Sequence, residues 1–186
     1  NVTFSYSPEL PPALSDVSFT IEAGKTLAIV GRTGSGKSTI VSLLTRLHNP
    51  PPGSVFIDGH DIRQITLRSL RGQLGVAPQE SFLFSTTIGK NIAFASDDYP
   101  MERIEHFAEV AQVRKDISEF PDGFDTMVGE RGVTLSGGQK QRVCIARALI
   151  KEPKVLVLDD CLSAVDTQTE ERILRGLREY MHGRTS

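Results

Sequence analysis

One octapeptide constrains this chain more than any other feature. Gly31-Arg32-Thr33-Gly34-Ser35-Gly36-Lys37-Ser38 follows the apolar run Thr26–Val30 and precedes Ile40, Val41, Leu43, Leu44 and Leu47 at helical spacing. The glycines let a backbone wrap something small, and the helix behind them aims its first N–H groups and its positive dipole end into the bend. A phosphate satisfies both. In such a loop Lys37 reaches β- and γ-phosphates and the Ser38 hydroxyl suits Mg²⁺. With Gly near 7% of average usage, this pattern arises by chance in fewer than about one chain in a hundred of this size.

The remaining elements extend the same architecture. Val2–Tyr6 and Leu14–Ile21 read as strands, and Glu22–Lys25 as the turn into Thr26–Val30. The helix after the octapeptide stops before Asn49–Gly53. Ser54–Gly59 and Gln73–Ala77 are further strand candidates, with a short helix around Thr66–Arg71 between them. From Pro78 the texture turns to helix and loop. Pro100 suits a first helical position, Met101, Ile104, Phe107, Ala108 and Ala111 share a face, and residues 112–134 read as loop around Pro121-Asp122-Gly123. A helix over 137–150 ends before Pro153, and Val155–Leu158 has the make-up of a buried parallel strand. The last helix opens with Thr167 and Glu170 as a capping box and buries Ile173, Leu174, Leu177 and Tyr180. The expected fold is α/β with a mainly parallel sheet and a helical insert.

Composition removes several functions. Lys+Arg 21 against Asp+Glu 23, with Trp absent, supplies neither the basic field nor the stacking platforms of a nucleic-acid binder, so no nucleic-acid partner is expected. Two cysteines without a CxxC spacing, Cys144 and Cys161, argue for free thiols rather than a bridge or metal site. No apolar stretch approaches membrane-spanning length, so this stretch of chain is expected to be soluble. His48, His60, His106 and His182 lack ligand spacing and read as surface residues.

A second helix start is unusual. Ser136 and Gln139 form a capping box, yet Gly137 and Gly138 between them each cost the helix about 1 kcal/mol against Ala. Bare glycines there admit an anion to the N-terminus. Leu135-Ser136-Gly137-Gly138-Gln139, about 100 residues after the phosphate loop, resembles the LSGGQ signature of ATP-binding-cassette proteins. The resemblance covers essentially the whole chain and implies an α/β P-loop ATPase core over 1–77 and 151–186, with an antiparallel β subdomain at its amino end and an α-helical signature subdomain over 78–150. It implies that ATP contacts Gly31, Arg32, Thr33, Gly34, Ser35, Gly36, Lys37, Ser38 and Thr39, with Tyr6 stacked on the adenine. Ser136, Gly137, Gly138 and Gln139, with Asp166 of the Ser163-Ala164-Val165-Asp166 loop, would contact a nucleotide held by a partner. Gln79 looks like the Q-loop glutamine, and Asp159 like the Walker B carboxylate that joins Ser38 and Gln79 around Mg²⁺. Lys37, Gln79 and Asp160 are the implied catalytic residues. Gly129-Glu130-Arg131-Gly132 resembles the X-loop of exporters, which touches membrane-domain coupling helices.

The family pairs two cassettes head to tail, so the implied partners are a second cassette and the transmembrane domain of a longer polypeptide, at the cytoplasmic face of a membrane. Two departures stand out. Asp160 replaces the family's glutamate, drawing the base back by more than about 1 Å, a shift able to cost on the order of 10²-fold in rate. That resembles the slow site of a heterodimeric exporter. The chain also stops at Ser186, where the strand bearing the family's γ-phosphate histidine should begin between the phosphate-loop and Walker B strands. The expected fragment is therefore truncated, with a gap in its sheet. The alternatives are an ATP-gated dimerisation switch with little hydrolysis and a soluble ATPase without a transport role.

Overall fold

The computed structural model describes residues 1–186 except Asp97 and Glu130–Gly132. Most of the X-loop resemblance therefore lies outside the described residues.

Strands β1 (Val2–Phe4) and β2 (Leu14–Val17) pair antiparallel, with Val2 opposite Val17 and Phe4 opposite Leu14. Both are shorter than the sequence spacing predicts. An extra residue bulges β2 between the two pairs, where Asp16 takes φ 51°. Helix α1 (Lys37–Leu44) stops at Thr45, and Arg46 turns the chain at φ 50°. Leu47 consequently leaves the helical face assigned to it and is exposed. The segment expected as one strand over 54–59 is instead half of a hairpin, β3 (Phe56–Ile57) and β4 (His60–Asp61). Asp58 and Gly59 turn it with φ 49° and 77°, the two positive angles a tight Asp-Gly turn requires.

Helix α2 (Leu67–Gln73), capped by Thr66, leads into β5 (Leu74–Ala77). The helical subdomain follows as α3 (Ile88–Ile92), α4 (Met101–Val110), α5 (Arg114–Ser118) and α6 (Gly137–Leu149). Pro100 is the N-cap of α4 rather than its first residue, and Met101, beside it, stays exposed. Helix α5 lies in the stretch read as loop, too short to show a helical period. Strand β6 (Val155–Leu158) is followed by α7 (Thr167–Tyr180). Its cap is Asp166, not Thr167: the Asp166 carboxylate accepts from Thr169 N at 3.0 Å, which moves the start one residue back.

β5 and β6 pair in parallel from Leu74 opposite Val155 to Ala77 opposite Leu158, and α6 packs across β5. The approach is close enough that a Cβ on Gly75 would stand 2.6 Å from Ala148 O. The main core lies around this contact, with Ile88, Ile92, Ile145, Leu149, Leu156 and Ile173 fully buried.

Among the described residues the parallel sheet has only these two formal strands, because Thr26–Val30 finds no full partner. Thr185 and Ser186 enter between it and β6. Leu156 N donates to Thr185 O at 2.9 Å on one side, and Leu27 N to Ser186 O at 2.8 Å on the other. Among the described residues nothing pairs with residues 28–30, and Val30 is 93% exposed. In the isolated 1–186 polypeptide, amide hydrogen exchange should be fast at residues 28–30 and slow at 75–77 and 156–158. Equal protection of both segments would contradict this description of the sheet.

Candidate functional site

The phosphate loop is held from beneath. Gly36 caps α1 at φ 90°, and a Cβ there would lie 2.5 Å from Ala13 O and 2.8 Å from Leu14 Cδ2. Glycine is thus required twice, by its backbone angle and by the close approach of β2. No side chain caps α1, so its leading N–H groups are left for a ligand, and Arg32, Thr33, Gly34, Ser35 and Ser38 are exposed around them. Lys37 closes the loop on itself by donating from Nζ to Gly31 O at 2.8 Å and Arg32 O at 2.9 Å. These residues fit a nucleotide's phosphates. Thr39 is buried, and its hydroxyl shares a 2.9 Å hydrogen bond with that of Tyr6. Tyr6, half exposed beyond the end of β1, is thereby fastened to the phosphate-loop helix.

The carboxyl ends of β5 and β6 bring the acidic residues and Gln79 together. Asp159 N donates to Ala77 O at 3.0 Å, continuing the ladder by one step, and the chain then reverses at Asp160 with φ 47°. Asp tolerates that left-handed angle better than most residues. Gln79 Nε2 donates to Asp160 Oδ2 at 3.3 Å, joining two of the expected catalytic residues. Among the described residues no cluster of three acidic, His or Cys side chains forms a metal cage. Mg²⁺ is commonly held by one or two protein ligands together with substrate phosphates, the role expected of Ser38, Gln79 and Asp159.

The signature helix has the capping box expected of it: Gln139 N donates to Ser136 Oγ at 3.2 Å, and Ser136 N to Gln139 Oε1 at 2.9 Å. An anion at the helix start would account for both glycines. The structure adds a packing reason for one of them, since a Cβ on Gly138 would stand 2.7 Å from Ala164 O. Gly137, exposed, has only the Ala164 methyl nearby. Among the described residues no hydrogen bond joins residues 31–39 to residues 136–139.

Sequence reasoning missed the polar residues that brace these segments. Gln141, 5% exposed, donates to Ser163 Oγ at 3.0 Å and accepts from Ala164 N at 2.9 Å. Ser163 in turn donates to Asp160 O at 3.2 Å. Asn91, fully buried, exchanges hydrogen bonds with Phe84 N and O at 2.8 and 3.0 Å, and Arg147 donates to Asn91 O, Asn91 Oδ1 and Phe82 O. A polar residue among the apolar positions of α6 was the available signal. Arg142 ties the same helix to Asp116 at 2.5 Å.

Charge states follow from these surroundings. Backbone N–H donors around Asp166 hold its carboxyl below the usual value, so this expected nucleotide contact serves here as a helix cap. Burial pushes the Cys161 thiol up to about 12 and raises Cys144 as well, so both remain neutral thiols. They are free, as expected. All four histidines are exposed.

This is the arrangement of a nucleotide-binding ATPase core: an open glycine loop on a helix start, carboxylates past the strand ends, and a glycine-opened second helix. The ABC transporter family matches residues 14–163, and the chain belongs to it. It is 50% identical over its whole length to the ATP-dependent lipid A-core flippase of Photorhabdus laumondii and 47% identical to that of Escherichia coli K12. It is 49% identical to the ABC transporter ATP-binding protein YknU of Bacillus subtilis. In each case it spans 32% of the relative. A bacterial Atm1-family ABC exporter solved with ATP bound superposes on the whole chain with a TM-score of 0.94 at 46% identity, again over 32% of that protein. The fold is thus that of an ABC exporter's ATP-binding domain.

Gly138→Ala should cost about 1–3 kcal/mol of stability through its clash with the Ala164 carbonyl, whereas Gly137→Ala should be close to neutral or stabilising. Urea unfolding of the two variants checks this, and equal effects would contradict the packing difference.

Proposed function

We propose that this chain is the ATP-hydrolysing cassette of an exporter, acting at the cytoplasmic face of a membrane as part of a longer polypeptide. The observation that carries the reading is the uncapped start of α1 behind Gly36, with Lys37 folded into the loop. ATP phosphates would displace Lys37 from the two carbonyls, since charge-assisted bonds to phosphate outweigh bonds to neutral oxygens. Mg²⁺, bound through Ser38, Gln79 and Asp159, would neutralise charge developing on the phosphoryl oxygens. Asp160 would orient and deprotonate the attacking water, with Gln79 fixing its carboxylate.

One chain carries two glycine-opened helix starts, whereas one ATP has a single γ-phosphate. A head-to-tail pair resolves this: ATP on one chain's residues 31–38 is covered by the other's Ser136–Gln139, so the closed pair is favoured while the γ-phosphate is present. Hydrolysis removes the bridge. The share of the exporter relatives that this chain spans leaves room for the membrane domain. The exposed rings of Phe82 and Phe94, the latter stacked on Phe84 at 4.2 Å, offer that domain an apolar seat beside Gln79.

The short Asp160 makes this chain's own site the slow one of a heterodimer. A second reading, an ATP-gated switch with little hydrolysis, draws on the same residue, with Gln79 already engaged on it. Single-turnover hydrolysis in the full-length heterodimer separates the two. Lys37→Ala should abolish ATP binding at this site. Asp160→Glu should raise turnover there by about tenfold or more, less than the 10² that a 1 Å misplacement can cost, because Glu is less at ease at φ 47°. A fall in turnover would sink the slow-site reading.

A further inference from the structure

His48 lies past the end of α1, exposed and outside the machinery described so far, yet it belongs to an aromatic trio. Its ring stands edge-on to Tyr6, with centroids 5.0 Å apart and planes at 87°. Phe4 meets Tyr6 at 5.2 Å and 82°, and His48 at 6.1 Å and 63°. Two separate hydrogen bonds fasten this trio to one helix. The Tyr6 hydroxyl meets Thr39 Oγ1 at 2.9 Å, and His48 Nδ1 meets Ser42 Oγ at 2.8 Å. Thr39 and Ser42 are three residues apart on α1, hence neighbours on its surface, and α1 begins at the phosphate loop.

The hydroxyl bond secures only the far end of the Tyr6 side chain and leaves the ring free to turn about its long axis. Perpendicular neighbours remove that freedom, because edge-to-face contacts between rings are directional. We propose that His48 is a positioning residue for the nucleotide's base: it holds the Tyr6 ring in the orientation that receives adenine when the phosphates lie on residues 31–38. This rests on the reading of Tyr6 and the phosphate loop given above. Ser42 fixes His48, His48 and Phe4 fix Tyr6, and the base platform is thereby built on the same helix as the phosphate site.

The test compares a ligand that has a base with one that lacks it. Dissociation constants for Mg-ATP and Mg-tripolyphosphate are measured by calorimetry on the full-length chain and on four variants. His48→Ala should weaken ATP three- to tenfold while tripolyphosphate changes less than twofold. His48→Phe, which restores a ring edge without Nδ1, should recover most of the loss. The proposal is overturned if His48→Ala leaves ATP binding unchanged while Tyr6→Ala weakens it, or if His48→Ala weakens both ligands alike. Tyr6→Ala without effect on ATP would instead overturn the base-contact reading, and Lys37→Ala without effect on tripolyphosphate the phosphate-loop reading.

Discussion

The parallel pairing of Leu74–Ala77 with Val155–Leu158 is the constraint from which the site follows. In register, the two strands end together, so Gln79 and Asp160 leave the same sheet edge and meet at 3.3 Å. Ligands of open α/β sheets gather at such edges, where the backbone has run out of ladder partners and side chains from separate loops converge. Helix α6 keeps the pair in place. It lies against β5 so closely that Gly75 has no room for a side chain, and its own start carries the signature glycines. One packing contact therefore fixes both the strand edge that bears Gln79 and Asp160 and the helix that begins at the signature glycines.

Around that contact the polar groups form a connected brace. Gln141 on α6 grips Ser163 and Ala164, Ser163 holds the Asp160 carbonyl, and Gln79 reaches the Asp160 carboxylate. A buried amide satisfied at both ends costs little and specifies position, whereas one left unpaired would cost about 1–3 kcal/mol. Asn91 and Arg147 brace residues 82–87 in the same way. The loops that carry Gln79, Asp160 and Ser163 are thus tied together by hydrogen bonds and anchored by the buried Gln141 side chain.

Much of this was legible in the residues. The octapeptide's helix, the capping box at Ser136 and the Val155–Leu158 strand all stand where local chemistry put them, since each carries its own signal within a few residues. What could not be read depends on partners far along the chain. Thr26–Val30 has every mark of a strand, but a strand needs a neighbour, and Ser186 reaches only its first residues. The Asp58-Gly59 turn was hidden inside an apolar run, and Asp166 outbid Thr167 as a cap. What Gln141 binds is set only when the fold brings Ser163 to it, and His48, exposed as its sequence surroundings imply, meets Tyr6 only through the fold. Gly138 was assigned to an anion alone, and the Ala164 carbonyl beside it was invisible in one dimension.

The central claim is that a triphosphate is shared between the glycine loop of one cassette and the signature helix of another. It is tested most directly by cross-linking across the pair. Ser35→Cys in this chain and a cysteine at the signature serine of its partner would be placed in the full-length transporter, with native cysteines replaced. The account predicts a disulfide that forms with a non-hydrolysable ATP analogue and not without nucleotide. A cross-link of equal yield with and without the analogue, or none in either state while the analogue binds, would contradict it.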